Sequence, residues 1–260
     1  MIRKSLDALY LWSGYALAAT FFLAVASAGC IASAAEIKVL SGTGSRAIVE
    51  ELALQFERAS GHKLVIRFEG NAELKRKIEA DETFDVAILN PPVINDLIKA
   101  GKIVGERADI GQAGIGVGVR AGAPKPDIGT VDAFKRALLA AKSVAFAKEG
   151  ASGIHFMIVL ERLGLAEQLK AKLRPMPALD SVEVVGRGEA EMVVVVLPRI
   201  LVVPGVDLVG PIPAELQTWI GTSAGVGAAA REPEAAHALI RFFTGPAAIP
   251  VLKAKGMEPG

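Results

Sequence analysis

Two glycines, Gly42 and Gly44, alternate with hydroxyl residues in Ser41-Gly42-Thr43-Gly44-Ser45, directly after the apolar run Ile37-Lys38-Val39-Leu40. At a strand-to-helix turn such residues expose backbone N–H groups at the positive end of a helix, which attracts an anion or a carbonyl dipole. The stretch also fits the loose dinucleotide fingerprint G-x-G-x-x-G/A through Ala47, and Glu69 ends the next strand where a ribose-binding carboxylate belongs. Against that chemistry stand the permissive final Ala, a leader that exports the chain away from soluble cofactors, and the lack of an acid–base set downstream. No G-K-[ST] follows, so the loop is not a Walker cradle. N-capping by Thr43 or Ser45 is the reading that needs no ligand.

Repetition moves the balance toward a ligand. Gly70-Asn71-Ala72 follows the second strand-like run, Asn90-Pro91 the third, and Gly150-Ala151-Ser152-Gly153 a later one. Several helix N-termini aimed at one crevice hold an oxyanion by neutral hydrogen bonds, without a full positive charge or a metal. The candidate ligand-binding residues are therefore Ser41, Thr43, Gly44, Ser45, Asn71, Ala72, Asn90, Ser152 and Gly153. Candidates for catalysis are weaker. His62 follows a helix-ending glycine and His237 lies on a helix face; His155, one turn into the helix after Ser152, reads as a packing residue. Asp85 in FDVAILN has the position of a local cap, although a catalytic acid is conceivable there. None of the histidines has a partner at metal-binding spacing, and no G-x-S-x-G elbow occurs. No enzyme activity, metal or cofactor is expected.

These junctions need elements to hold them. Strand-like and helix-like patterns alternate as IKVLSG, SRAIVEELALQFERASG, KLVIRFEG, AELKRKIEA and FDVAILN, which is the order of repeated βα units with a mainly parallel sheet and helices on its faces. In the first helix Ala47, Ile48, Leu52, Ala53, Leu54 and Phe56 form the expected apolar stripe, and Gly61 stops it. Pro91-Pro92 opens a short helix. IGVGVRAGAPKPDIG marks the passage into a second lobe, where the helix TVDAFKRALLAAK, the strand SVAFA, the helix after Ser152 and the buried strand MVVVVL follow. VDLVGPIPAELQ and IGTSAGVGAAA read as the return to the first lobe, and helices close the chain. The expected divisions are a leader over 1–35, a first lobe over 36–115, a second over 116–210, and the return over 211–260.

Composition agrees with an ordered α/β protein: 52% of residues are apolar and only 5% aromatic, with no low-complexity tract. A net charge of +1 without a basic run gives nucleic acid nothing to bind. The N-terminus has a short positive start, an apolar stretch and the small residues Ala32-Ser33-Ala34-Ala35, the layout of a cleaved secretory leader. Cys30, the single cysteine, lies inside it; SAGC lacks the Leu or Val of a lipobox, so discard with the leader is favoured over lipid anchoring. The mature chain then has no thiol, hence no disulfide and no thiolate site. Taking Arg3, Lys4 and Asp7 from 29 basic and 28 acidic residues leaves 27 of each.

With the chemistry narrowed to capture of an anion or polar solute, the chain resembles the molybdate-binding, type 2 periplasmic solute-binding proteins of ABC importers. The resemblance runs through IKVLSGTGSRAIVEELALQFERASGHKLVIRFEGNAELKRKIEA, FDVAILNPPVINDLIKAGKI, IGVGVRAGAPKPDI, SGIHFMIVLERLG and GEAEMVVVV. It implies two α/β lobes joined by crossover strands, a ligand cleft between them, and closure on binding. It also implies a periplasmic monomer that hands a small anion to an ABC permease of the inner membrane. Where the family has a serine at the first helix N-terminus this chain has Gly44, between Thr43 and Ser45; before the second helix it has Asn71. The family's backbone-donating alanine falls on Ser152 and its tyrosine near Val196. The changed donors leave molybdate, another oxyanion or a small organic acid as the ligand. A secreted sensory or scaffold module of the same fold, without transport, is the alternative.

Overall fold

The computed structural model describes residues 34–260. The expected leader and Cys30 lie outside the described residues, except for Ala34 and Ala35. Among the described residues no helix is long and apolar enough to cross a membrane.

The first sheet has six strands. β1 (Glu36–Gly42) sits between β2 (Lys63–Glu69) and β3 (Val86–Leu89), parallel to both. β10 (Ile220–Gly227) then pairs antiparallel with β3 and with β4 (Ile103–Ala113), and β11 (Met257–Pro259) closes the far edge against β4. Val-Ala-Ile-Leu of β3 is buried throughout, as a strand covered on both faces must be. β2 forms the other edge and is half wet.

The second sheet has the order β7, β6, β8, β5, β9. β6 (Val144–Ala147) runs parallel to β7 (Leu173–Met176) and β8 (Met192–Val196), while β5 (Ile115–Arg120) is antiparallel to β8 and to β9 (Val206–Pro211). Both sheets are thus mixed, not mainly parallel. The βα units pair parallel as the sequence pattern implies, but strands that enter from or return to the other lobe meet their neighbours head to tail. Val206–Pro211 also belongs to this second sheet and not to the return, because its register against β5 places it on that edge.

Only Gly114 separates β4 from β5, so the outward crossing is a single residue between two strands. The return runs from Pro211 to Ile220, and Gln217 ties the two crossings together. Its Oε1 accepts from the Ile115 amide at 2.7 Å and its Nε2 donates to the Ile115 carbonyl at 2.9 Å.

The helices are α1 (Arg46–Ser60), α2 (Asn71–Glu79), α3 (Pro91–Lys99), α4 (Val131–Ala140), α5 (Ala151–Arg162), α6 (Ala166–Leu169), α7 (Glu183–Gly186), α8 (Leu197–Ile200), α9 (Pro233–Thr244) and α10 (Ile249–Ala254). α1 buries Ala47, Ile48, Val49, Leu52, Ala53 and Phe56, and Gly61 ends it at φ 77°, a left-handed conformation that costs glycine little. Leu54 departs from the expected stripe and is exposed. Two residues past Leu52, it has turned some 200° around the helix, away from the sheet. The C-terminus adds the strand β11, which the helical pattern of that region does not announce.

Candidate functional site

Parallel strands in βα units deliver helix N-termini to the carboxyl edge of a sheet. Here β1 leads through a short 3₁₀ turn (Thr43–Ser45) into α1, β2 into α2, β3 into α3 and β6 into α5. The four junctions meet at two adjoining chambers between the sheets. The larger offers about 40 Å³ to the centre of a water-sized guest, the smaller about 20 Å³. One water needs roughly 10–15 Å³ on that measure, so the pair has room for a small solute and none for a dinucleotide.

Thr43, Gly44, Asn71, Asn90 and Ser152 line the larger chamber, and Ser45 joins Gly44, Asn71 and Asn90 at the smaller. Ser41, Ala72 and Gly153 line neither. Ser41 is fully buried, with its Oγ 3.1 Å from that of Ser45, and Ser45 donates to the Gly42 carbonyl at 2.9 Å. These two hydroxyls are engaged in shaping the turn. Gly153 has a packing reason: a Cβ there would stand 1.9 Å from the Ala147 carbonyl oxygen, so glycine lets α5 start tight against β6. Asn71 accepts the Asn90 amide on Oδ1 at 2.8 Å, while its Nδ2 lies over the Cα of Gly42. The amide group therefore spans two strand ends, and Asn71 lines both chambers.

Side-chain capping at these junctions is not found. The N-termini of α1, α2, α3 and α5 have no side-chain cap. At α3 the first two residues are Pro91 and Pro92, which carry no N–H, and the Val93 amide bonds the Asn90 carbonyl at 3.0 Å, so uncapped first-turn N–H groups come from the Thr43–Ser45 turn ahead of α1 and from the starts of α2 and α5.

One lining residue is charged, and the sequence pattern did not point to it. Arg199, in α8 just after the buried strand β8, is 3% exposed and lines the larger chamber. Its Nη2 donates to the Leu179 carbonyl at 3.1 Å and to a carboxylate oxygen of Glu183. Nε is buried without a partner, as is Glu183 Oε2. The signal was an arginine inside the apolar run VVVVLPRILVV, where a charge is costly unless it is paired or used. The expected wall of neutral donors is thus supplemented by a guanidinium.

The former catalytic candidates lie elsewhere. Asp85 is buried beneath the first sheet, accepting from the amides of Lys38 (2.7 Å), Arg231 (2.7 Å) and Glu232 (3.1 Å). His155 bonds the Leu216 carbonyl through Nε2 at 2.8 Å, and His62 accepts the Ala35 amide on Nδ1 at 3.0 Å. His237 is exposed on α9. No Asp, Glu, His, Lys, Cys or Tyr is among the residues lining the two chambers. Among the described residues no three metal-ligating side chains cluster.

A family model described as bacterial extracellular solute-binding protein matches residues 37–258. The chain belongs to this family. A curated relative of this solute-binding chain, an aconitate isomerase from a Pseudomonas species, is 34% identical over 230 residues, covering 86% of this chain and 87% of the relative. The molybdate-binding protein ModA of Azotobacter vinelandii is 27% identical over 237 residues, 87% of this chain and 91% of that one. The solved periplasmic molybdate-binding protein of the same organism superposes with a TM-score of 0.75 at 21% identity, over 86% of this chain and 99% of that structure. The two-lobed, type 2 binding-protein architecture is therefore the fold of this chain.

Proposed function

We propose that the protein is the exported ligand-capturing subunit of an ABC importer, binding a small oxyanion or organic anion in the cleft and presenting it to a membrane permease. The observation that carries this reading is the convergence of three uncapped helix starts, the Thr43–Ser45 turn ahead of α1 and those of α2 and α5, from both sheets, on one pair of chambers. Thr43 and Asn71 from one lobe and Ser152 from the other add side-chain donors to those backbone groups. The family and the molybdate-binding relative agree with such a role.

The aconitate isomerase relative favours a second reading, isomerisation of an unsaturated tricarboxylic acid. Moving a double bond needs a group that takes a proton and returns it. The chambers are lined by no such group, since a guanidinium stays protonated. Capture without turnover is the better supported of the two.

Calorimetry and thermal melting with molybdate, tungstate, sulfate, phosphate, citrate and aconitate, together with an absorbance assay for aconitate conversion, test both. A bound anion at about 100 times its Kd is expected to stabilise the protein by roughly 2.7 kcal/mol. Failure of all six to bind would end the capture reading, and turnover of aconitate would replace it with the second.

A further inference from the structure

We infer that Arg199 reads a second negative group on the ligand, so that the cleft selects a small organic acid with two or more carboxylates over an inorganic oxyanion. This deepens the anion-capture reading and rests on it. The larger chamber has two different features that attract anions. One is the set of helix N-termini, which offer neutral N–H donors and partial positive charge. The other is the guanidinium of Arg199, 3% exposed, ion-paired through Nη2 with Glu183 and with a buried Nε that has no partner.

A buried arginine beside several positive helix ends gains nothing from them. Its position is held from behind: the Leu179 carbonyl and Glu183 take Nη2, which fixes the plane of the group. Arg199 Nε has no partner, so the ion pair with Glu183 leaves a guanidinium N–H unused. A carboxylate in the chamber gives the guanidinium a partner through a charge-assisted bond, the strong kind. Glu183 is thus a positioning residue, and Arg199 a binding residue.

The rest of the wall favours carbon between the charges. Ala147, Ala178, Val196 and Ile220 present apolar surface to the same chamber as Arg199 and the helix ends. A tetrahedral oxyanion is polar on every side and leaves oxygens unpaired against such a surface, whereas a di- or tricarboxylic acid covers it with its carbon chain. The adjoining smaller chamber, which shares Gly44, Asn71, Asn90, Val196 and Ile220, adds room for a second group.

Calorimetry of the full chain with citrate, aconitate, succinate, acetate, sulfate and molybdate supplies the test, on the wild type and on two variants. Arg199→Gln removes the charge; Glu183→Gln with Arg199→Gln removes both charges and leaves no carboxylate stranded. The wild type is expected to prefer the di- and tricarboxylates by at least about 10-fold over sulfate and molybdate. Both variants are expected to lose about 100-fold for those acids, and less than about 3-fold for sulfate, on the scale of truncating one partner of a buried charge pair. A double variant that melts near the wild type yet keeps its citrate and aconitate affinity overturns the inference. Tight binding of molybdate or sulfate that ignores Arg199 also overturns it while leaving anion capture intact, and no binding of any anion removes both.

Discussion

Helix N-termini in this protein are finished in two ways. Away from the cleft the two helices of ten or more residues are satisfied from within: Thr130 Oγ1 accepts the Ala133 amide at 3.1 Å to cap α4, and Asp85 gathers the Arg231 and Glu232 amides just ahead of α9, while the short α6, α7 and α10 have no side-chain cap. At the cleft, α1, α2, α3 and α5 begin with glycine, asparagine or an engaged serine and no side-chain cap. A glycine start such as Gly70 or Gly150 forgoes a few tenths of a kcal/mol relative to a capping residue. Three helix starts that carry uncapped N–H groups, the Thr43–Ser45 turn ahead of α1 and those of α2 and α5, share one space, and the anion-capture proposal rests on them.

Removing the internal acceptor at the remote end should have the largest effect. Asp85→Ala strands three buried amides and is expected to cost about 3–4 kcal/mol in denaturant unfolding. The folded fraction should bind ligand as before, because Asp85 lies outside the chambers. A change in affinity equal to the change in stability would show that the two ends are not independent.

Installing a cap in the cleft reverses the comparison. Gly70 has extended backbone, at φ −65° and ψ 145°, and a Cβ there meets only Ala178 at 3.7 Å, so Gly70→Asp fits. It is expected to stabilise the free protein by a few tenths of a kcal/mol while weakening anion binding by about 100-fold, through like charge and an occupied helix end. Binding unharmed by the new carboxylate would mean that the α2 end is not a donor to the ligand.

Thr130→Ala is the mirror experiment, expected to cost about 1 kcal/mol by thermal melting with ligand affinity unchanged. The smallest effect concerns acid. The Asp109 carboxyl is held below the usual carboxylate range, first by its hydrogen bond from Arg107 and then by that from Ser223 on the neighbouring strand. A carboxyl whose pKa is lower folded than unfolded lends stability above its unfolded value, about 4, and loses it as pH falls through the folded one. Melting temperature should therefore hold from pH 8 to 5 and fall below about 4, and Ser223→Ala should make that fall shallower.

The units β1 to α3 were legible because each carries its own period: apolar runs for the strands, a 3.6-residue stripe for the helix, glycine at its end. Asp85 was legible as a cap by its place at a strand start. Other features were not. β4 exposes Val104 and the charged Glu106 as it crosses between lobes, and β11 is three residues long, so neither has a pattern to read. Local turn chemistry pointed to Thr43 and Ser152, which line the larger chamber, and equally to Ser41, whose hydroxyl is turned inward to Ser45.

Local sequence by itself determined the βα units and the glycine turns at helix starts, because these depend on residues only a few positions apart. The tertiary structure alone decided that the starts of α1, α2 and α5, with Asn90 ahead of α3, share one space, and that Arg199 joins them. Arg199 lies more than 150 residues from Thr43 along the chain and 16 from Glu183, and only the packing of two sheets across their crossovers brings its charge to the same chamber. Whether a buried charge pays a penalty or serves a ligand is set by what surrounds it in space.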